Sequence, residues 1–505
     1  MSRRERLAWT ALIAAALALR LVALGAKPPH HDEAIHCDFA YTLLTQGTYH
    51  YDPTYHGPLI YYILAPLFAL LGASTTVGRL YPALAGTALV AVPLLVRRRL
   101  GAGPAWWSGF LLAISPIFLY YSRFAREDVP VALFTALAVA LFARVRRQGW
   151  RQIPWIGAAA AGHAVMKETF YVTLPLMGLA AYVVALRDGV WASIRRGFAW
   201  IDRYRIAIGT AILWFIAITV TLFTVFFTHP EDWAFPVKAI TYWYQQHELQ
   251  RVGGPWWYYL PRLALYEFLI IGAALVWAVR RRRRMKRLEL FCLAWGLGAI
   301  GLYAYLGEKT PWLIVHQVLP FVPLAGAQLA RTFSPSGRWW SRALASAAIA
   351  ATAWSALASS FLYPALSTAN RHGELIVYVQ TTPEEQALAN EGLALARSQK
   401  EGMVAAVDGE GSWPLSWQWK KVPVWWGAPQ AGMRPPIVVC DPDKEAATQA
   451  LLGPDYTVRR IPLRAWWVED YASLTPVKLI RWFFTRRTWS PIGATDIDVF
   501  EAKGK

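Results

Sequence analysis

The chain has 505 residues, of which 56% are hydrophobic and only 16% are charged. A soluble globular protein carries about 25% charged residues, so this composition excludes an ordinary soluble domain and predicts a protein embedded in lipid. The formal net charge of +19 comes largely from basic clusters between apolar segments, at residues 97–99, 144–151 and 280–287. That distribution is the positive-inside pattern of membrane proteins, and it argues against nucleic-acid binding.

Eleven apolar stretches suited in length to membrane-spanning helices recur up to residue 362. They lie near residues 7–26, 79–96, 105–122, 129–143, 153–167, 170–186, 206–228, 260–279, 289–306, 312–330 and 342–362. Arg20 interrupts the first stretch, which favours an uncleaved span over a signal peptide. A further apolar stretch, 57–73, is predicted to lie in the membrane interface, because every basic cluster then stays cytoplasmic. The amino terminus is then cytoplasmic and the carboxyl terminus extracytoplasmic, in the cytoplasmic (inner) membrane.

The first predicted outer loop carries a dense group of ionisable residues in the string HHDEAIH, residues 30–36. Asp32 and Glu33 lie just beyond the first span, where carboxylates tend to be kept for chemistry or ion handling. Apolar positions from 32 to 45 have helical spacing, which predicts an amphipathic helix along the membrane surface. Two alternatives stay open: Asp32 caps this helix, or the histidines of the loop bind zinc, although their spacing matches no compact zinc motif. These histidines are His30, His31, His36, His50 and His56.

Three further predicted outer turns also combine acidic and basic residues. They are SRFARED with Arg123, Arg126 and Asp128, MKET with Lys167 and Glu168, and GEKTPW with Lys309. Asp128 before Val-Pro is also typical of a helix start, and each lysine could simply extend toward the interface. The arginines favour phosphate, which a guanidinium binds in a bidentate way. Together the turns predict a site for a lipid-linked phosphosugar, with a carboxylate acting as general base.

Residues 363–505 have mixed polarity and are predicted to form a small extracytoplasmic α/β domain that follows a transmembrane domain of residues 1–362. Strand-like runs alternate with helix-like stretches. The runs are residues 375–379, 404–407 and 437–439, and the stretches are residues 383–398 and 443–452. Tryptophans at 413–419, 425–426 and 466–467 are interpreted as core residues, with a carbohydrate-binding platform as the alternative.

Several strings resemble the GT-C superfamily of membrane glycosyltransferases, which includes the protein O-mannosyltransferases and the lipid A aminoarabinose transferases. They are HHDEAIH, YDPTYHGP, SRFARED, MKET, GEKTPWLIVH, YVQTTP and WSPIGATDIDVF. Their combination is most similar to a bacterial and archaeal subfamily labelled flippase-activity-associated proteins in archaea. The resemblance implies a mainly α, polytopic GT-C fold with about 11 transmembrane helices and interfacial helices in the first outer loop.

The same resemblance assigns roles to particular residues. It implies that Asp32 is the first-loop catalytic carboxylate, that Asp128 is the second-loop acidic residue, and that Lys167 lies at the outer end of a short span. It implies a polyprenyl-phosphate sugar donor and, in some lineages, a divalent metal such as magnesium or manganese. Many relatives have Lys-Pro-Pro where this chain has His56-Gly57-Pro58.

A membrane glycosyltransferase with an inverting mechanism is therefore the function expected from the sequence. Asp32, Glu33 and Asp128 are the candidate catalytic residues. Substrate binding is expected from a larger set, namely His31, His56, Arg123, Arg126, Lys167, Glu168 and Lys309. The expected partners are the lipid-linked donor, the bilayer, and an acceptor that is a protein, lipid or glycan. The alternative is a flippase-associated or transport component that handles lipid-linked sugars without transfer, and a non-catalytic scaffold is a third reading.

Overall fold

The computed structural model describes residues 1–249, 253–362, 372–398 and 402–503, with the side chains of 146–148 and 249 left out. Most of these residues are helical. The α-helices before residue 363 are α1 (Arg3–Leu21), α2 (His31–Gln46), α3 (Leu59–Leu71), α4 (Thr75–Gly78), α5 (Leu80–Leu95), α6 (Arg97–Leu100), α7 (Ala102–Ile114), α8 (Pro116–Tyr121), α9 (Asp128–Gln148), α10 (Ile153–Ala164), α11 (Phe170–Asp188), α12 (Val190–Phe223), α13 (Phe235–Leu249), α14 (Tyr259–Tyr266), α15 (Phe268–Arg281), α16 (Arg287–Tyr305), α17 (Ile314–Val318), α18 (Val322–Thr332) and α19 (Trp339–Leu357).

Seven helices among the described residues are long and apolar enough to cross a membrane, or eight if α14 and α15, bent by 91°, form one span. The chain is thus a multi-pass membrane protein, but the predicted count of eleven spans is not confirmed. The remaining three predicted stretches fold differently. Charged residues interrupt α1, Ser115 separates α7 from α8, and α10 has only 12 residues.

The first loop forms the expected helix α2, and its start is capped by a residue other than Asp32. The Nδ1 atom of His30 accepts a hydrogen bond from the backbone N–H of Asp32 at 3.0 Å, and the Glu33 carboxylate accepts one from the backbone N–H of His30 at 2.9 Å. This is a reciprocal capping arrangement. The interpretation of Asp32 as the cap is therefore wrong, and its carboxylate does not cap the helix.

The apolar stretch after this loop forms the short helix α3, which has 13 residues and contains Pro66. At 1.5 Å per residue it is roughly 20 Å long, shorter than the hydrocarbon core of about 30 Å. Helix α3 is thus too short to cross the membrane, which agrees with the prediction that residues 57–73 lie in the membrane interface.

The carboxyl-terminal residues form a small six-stranded sheet with helices packed on it. Its strands are β1 (Gln380–Thr381), β2 (Ala405–Asp408), β3 (Val424–Trp426), β4 (Ile437–Cys440), β5 (Tyr456–Trp467) and β6 (Ile492–Ala502), in the order β1-β5-β6-β4-β2-β3. The helices are α20 (Pro383–Ser398), α21 (Ser412–Gln418), α22 (Glu445–Leu452) and α23 (Pro476–Thr485). Strand β2 is parallel to β3 and β4, and the other pairs are antiparallel. The expected small α/β unit is present, and its predicted start at residue 363 lies outside the described residues.

One predicted strand, 375–379, is wrong. Leu375 and Ile376 are buried in the core of the helical part, and the backbone N–H of Leu375 donates to the hydroxyl of Tyr266. Among the tryptophans, Trp417 and Trp419 are buried as expected of core residues, whereas Trp426 is 44% exposed.

The sheet unit packs directly on the first loop. The side chains of Gln380 and Thr381 donate hydrogen bonds to the carbonyls of Pro28 and Pro29 at 3.2 and 2.6 Å. Trp417 stacks on Phe68 of α3, with ring centroids 5.4 Å apart. These contacts hold the chain on both sides of α2 against the carboxyl-terminal unit.

The turn at His56-Gly57-Pro58 lies against the turn that follows α10. The N–H groups of Gly57 and Leu59 donate to the carbonyls of Met166 and Val165 at 3.3 and 3.0 Å. A Cβ atom on Gly57 would lie 2.2 Å from the Val165 carbonyl oxygen, so only glycine permits this approach. His56 has a φ of +66°, which is rare for a residue with a side chain.

We expect Gly57→Ala to force these two turns apart and to destabilise the protein by about 1–3 kcal/mol, the usual cost of overpacking. The measurement is thermal unfolding of the purified protein in detergent. Gly209→Ala is the matched control, because nothing lies within 4 Å of the added Cβ there. Equal unfolding midpoints for the two variants would contradict the close approach.

Candidate active site

Four charged side chains form a continuous chain of contacts from α2 to the turn after α10. The Asp32 carboxylate contacts Nη1 of Arg126, whose Nη2 lies 3.0 Å from Nε2 of His56. The other ring nitrogen of His56 lies 2.8 Å from the Glu168 carboxylate. The structure thus brings together one candidate from each of four separate segments: Asp32, Arg126, His56 and Glu168.

Asp128 belongs to a second group of contacts beside this chain. Its Oδ1 atom accepts a hydrogen bond from Nζ of Lys167 at 2.9 Å and lies 3.3 Å from Nε2 of His316. Its second oxygen lies 3.8 Å from Nε of Arg126. Asp128 is almost completely buried, so these cations compensate its charge in place of water.

Two residues of this site were not among the predicted site residues, although they lie within SRFARED and GEKTPWLIVH. Glu127 is completely buried, and its carboxylate lies 3.0 Å from Nε2 of His36, whose Nδ1 lies 3.1 Å from the Tyr61 hydroxyl. A sequence cannot show which of two adjacent acidic residues meets which partner. His316 was missed for a similar reason, since it lies 188 positions from Asp128.

The guanidinium of Arg126 is held from one side by an aromatic ring. Its central carbon lies 4.0 Å from the centre of the Trp312 ring, a cation–π contact that fixes the plane of the guanidinium. His31 contacts Asp32 from another direction, with Nε2 3.0 Å from Oδ1. Asp32 therefore lies between an imidazole and an oriented guanidinium, with its side chain 20% exposed.

Glu33 lies next to Asp32 in the sequence but occupies a different environment. Its carboxylate is completely buried and forms a bidentate ion pair with Arg79, at 2.8 and 2.6 Å. It also accepts a hydrogen bond from the backbone N–H of Ala125 at 2.8 Å. The structure thus separates the two acidic residues that the sequence places together, and only Asp32 faces the group around Arg126.

Two predicted substrate-binding cations contact backbone carbonyls instead of this group. Arg123 donates to four carbonyls of residues 19–23, at 2.7–3.0 Å, at the end of α1. Lys309 donates to the carbonyls of Tyr303, Ala304 and Leu306 at the end of α16. Cations are favourable at helix carboxyl ends, where carbonyls are left without partners. The structure does not bring these two residues to Asp32.

The charges around His56 and Glu168 change the protonation equilibria of both groups. Burial lowers the pKa of His56, but the adjacent Glu168 carboxylate outweighs this effect, and the pKa lies above its usual value. Burial raises the pKa of Glu168, and the nearby His56 and Lys167 lower it to about 2. Burial also raises the pKa of Glu127, but this effect is outweighed by the nearby His36, His56 and Arg126. The pKa of Glu127 therefore lies below its usual value. The site therefore favours ionised carboxylates.

The residues around Asp32 do not fit a magnesium or manganese ion, which prefers several oxygen ligands. The ligand atoms that lie close together here belong to His30, His31 and Asp32, a set with two imidazoles and one carboxylate. Glu127 and Asp128 already contact cationic or imidazole side chains. No step of the chemistry is assigned to such an ion.

A large apolar cavity of about 620 Å³ lies between α9, α10, α11 and α16. His163 and Thr135 line it and form a hydrogen bond with each other at 3.1 Å. The other ring nitrogen of His163 lies 3.2 Å from the hydroxyl of Thr169, which follows Lys167 and Glu168. The cavity thus begins beside the charged site and extends toward Arg99 and Arg287.

The chain resembles known membrane glycosyltransferases in sequence and in fold. Residues 55–216 match the family described as dolichyl-phosphate-mannose-protein mannosyltransferase, which is less than half of the chain. No curated protein matches it.

Among solved structures, ArnT from Cupriavidus metallidurans bound to undecaprenyl phosphate has a TM-score of 0.68 at 16% identity, covering 98% of each chain. The apo state of that protein has a TM-score of 0.63 at 16% identity, over 87% of this chain and 94% of ArnT. AglB, the oligosaccharyltransferase of Archaeoglobus fulgidus, in complex with an inhibitory peptide and a dolichol-phosphate, has a TM-score of 0.52 at 13% identity. That match covers 90% of this chain and 69% of AglB. The fold is that of the GT-C glycosyltransferases, and the chain resembles the mannosyltransferase and ArnT branches of that superfamily.

We expect Glu168→Gln to lower stability in a pH-dependent way. The raised pKa of His56 means that the pair is fully stabilising below the ordinary histidine value of 6.5 and weakens as pH rises through the folded value. The lowered pKa of Glu168 means that stabilisation is present above 4.5 and is lost as pH falls toward about 2. The difference in the free energy of unfolding between wild type and Glu168→Gln should therefore be largest at pH values between the pKa of Glu168 and that of His56, and should reach about 1.5–3 kcal/mol there.

Thermal unfolding midpoints at about pH 5.5 and about pH 9 test this expectation, with the larger deficit at the lower pH. Asp202→Asn is the control, because its ion pair with Arg205 is exposed and contributes little. A deficit that grows from the lower to the higher pH would contradict the proposed charge state of the pair.

We expect Arg79→Met to destabilise the protein by about 3–5 kcal/mol, because it leaves the Glu33 carboxylate buried without its cation. Arg97→Met is the control, since the pair of Arg97 with Glu5 is partly exposed and should cost about 1 kcal/mol or less. Thermal unfolding of both variants and of Arg79→Met/Glu33→Gln gives the comparison. The double variant should recover part of the loss, and equal costs for the two arginines would disprove the argument.

Proposed function

We propose that this protein transfers a sugar from a polyprenyl-phosphate donor to an acceptor hydroxyl, with Asp32 as the general base. The observation that carries the proposal is the accessibility of Asp32. Its side chain is 20% exposed, whereas Glu33, Glu127, Asp128 and Glu168 are between 0% and 9% exposed. Among the described carboxylates of the site, Asp32 is the one that a substrate can reach.

In the proposed reaction the acceptor oxygen forms a bond to the anomeric carbon while the bond from that carbon to the phosphate oxygen breaks. The proton of the acceptor hydroxyl moves to Asp32, and the bonding electrons leave with the polyprenyl phosphate. Attack from the face opposite the phosphate inverts the anomeric centre. The phosphate is a competent leaving group only when cations neutralise its growing charge.

The cations next to Asp32 supply this neutralisation in the proposal. Arg126 presents a planar fork to the phosphate, and His56 contacts Arg126. Lys167 lies further away, where it donates to Asp128. A phosphate bound by Arg126 competes with Asp32 for the same guanidinium. Donor binding therefore weakens the ion pair that would otherwise make Asp32 a poor base.

The apolar cavity beside Lys167 and Glu168 supports a lipid-linked donor. An isoprenoid tail needs an apolar environment that begins at the depth of its phosphate. The crystal structure of ArnT contains undecaprenyl phosphate, and the structure of AglB is a complex with an inhibitory peptide and a dolichol-phosphate. By this proposal the site and residues 363–505 face the extracytoplasmic side, opposite the basic clusters.

We expect Asp32→Asn to reduce donor consumption by about 10²- to 10⁴-fold, the usual contribution of a positioned general base. The assay follows loss of a panel of radiolabelled polyprenyl-phosphate sugars by the protein reconstituted in lipid. Asp38→Asn is the matched control, because Asp38 lies on the same helix and is half-buried. It should retain activity.

Turnover by wild type that persists in Asp32→Asn would overturn the assignment of the base. Donor binding without turnover by wild type would instead favour a carrier or flippase component. A folded variant is confirmed by its unfolding midpoint, because Asp32 does not cap α2 and Asn preserves its size.

A further inference from the structure

A second group of metal-binding side chains lies at the far end of the first loop, away from Asp32. It consists of His50, from the segment between α2 and α3, and of His229 and Glu231, which follow α12. Each of the three offers one ligand atom, and these atoms lie within 4.8 Å of one another. The proposed transfer reaction uses none of them.

The distances within this group approach those of a tetrahedral zinc site. Zinc binds nitrogen and oxygen at about 2.0–2.2 Å, so neighbouring ligands of a tetrahedral site are roughly 3.3–3.6 Å apart. Nδ1 of His229 lies 3.1 Å from Oε1 of Glu231, and Nε2 of His50 lies 4.0 Å from the same oxygen. All three ligand atoms lie within 4.8 Å of one another, so movements of up to about an ångström in the side chains of His50, His229 and Glu231 would bring them to tetrahedral spacing.

A buried carboxylate beside this group supplies a second, independent observation. Asp232 is completely buried, and its Oδ1 accepts a hydrogen bond from Lys238. No described group donates a hydrogen bond to its Oδ2, which lies 3.7 Å from Nε2 of His50. A buried carboxylate oxygen without a hydrogen bond is costly, and a bound cation would compensate it.

The backbone that carries these residues is already fixed by aromatic packing. Tyr51 follows His50 and packs edge-on against Phe223, with ring centroids 4.7 Å apart. Phe223 stacks on Phe235 at 3.9 Å. The ligands on both sides of the site are therefore held near each other before any ion binds, which lowers the entropic cost of binding.

We propose that His50, His229, Glu231 and Asp232 bind a zinc ion. Two imidazoles and two carboxylates match the ligand preferences of zinc, whereas magnesium and calcium require mainly oxygen ligands. The ion cross-links the segment that leads from α2 to His56 with the segment that joins α12 to α13. It is a structural site that positions the loop carrying His56.

The test uses the full-length protein in detergent, purified with an affinity tag that contains no histidine and stripped with a chelator. Zinc is titrated against a chromogenic chelator, and cobalt is then substituted to give a visible absorption spectrum. Wild type should bind one ion tightly and show the intense spectrum of tetrahedral cobalt. Zinc should also raise its unfolding midpoint, because the ion binds the folded state.

His50→Ala, His229→Ala and Asp232→Asn should each weaken binding at least about tenfold and remove the cobalt spectrum. His50 and Glu231 are 58% and 59% exposed, so truncation of His50 removes no core packing. His31→Ala is the control and should bind like wild type.

Several outcomes would overturn the proposal. The first is a spectrum abolished by His31→Ala and retained by His50→Ala and His229→Ala, which would assign the ion to His30, His31 and Asp32. The others are a weak octahedral cobalt spectrum and the absence of stoichiometric zinc binding by wild type.

Discussion

The buried ion pair of Arg79 and Glu33 determines where Asp32 lies. The Arg79 guanidinium donates to both oxygens of Glu33 and to three carbonyls of residues 24–28, so it joins the segment that follows α1 to the start of α2. Glu33 in turn accepts from the backbone N–H of Ala125. Each contact satisfies a polar group that is buried without water, and loss of either partner would leave the rest uncompensated. Asp32, the residue before Glu33, is thereby turned toward Arg126.

The same constraint, a charge excluded from water, explains the composition of the site. Glu127, Asp128 and Glu168 are buried, and each lies within 3.0 Å of an imidazole or ammonium nitrogen. Asp32 also contacts a cation, but it remains accessible. In the proposed reaction, an arriving phosphate would meet a guanidinium whose carboxylate partner can move toward solvent or substrate, whereas the buried pairs would lose their compensation if they opened. Among these ion pairs, the one between Asp32 and Arg126 is thus the pair that can open at the lowest cost.

How much of this could be predicted from the sequence depends on the kind of partner each residue has. Asp32, Arg126 and Lys167 were identified because charged residues at the ends of apolar segments are visible in a sequence. Arg123 and Lys309 carry the same signal, yet their partners are backbone carbonyls at helix ends, which no motif marks.

The strand predicted at residues 375–379 and the predicted number of spans differ from the structure for a similar reason, because long-range contacts decide both. Residues 375–379 have the composition of a strand, but the tertiary environment, in which Leu375 bonds to Tyr266 and Arg262, overrides this local preference. The number of spans depends on breaks such as those at Ser115 and Glu267. Glu267 accepts hydrogen bonds from Ser115 and from the amino end of α8, a pairing across 152 positions that periodicity cannot reveal.

A histidine at position 56, where the resemblance to the glycosyltransferase family implies Lys-Pro-Pro in many relatives, makes the charge of this site depend on pH. A solvated lysine is a cation at neutral pH, whereas histidine changes charge near it. When His56 is neutral, its Nε2 can accept a hydrogen bond from Arg126; when it is protonated, the two groups repel each other unless an anion lies between them. Glu168 favours the protonated form by raising the pKa of His56. If a phosphate binds between Arg126 and His56, as proposed above, its binding is linked to proton uptake, and because linkage is reciprocal, lower pH would strengthen donor binding.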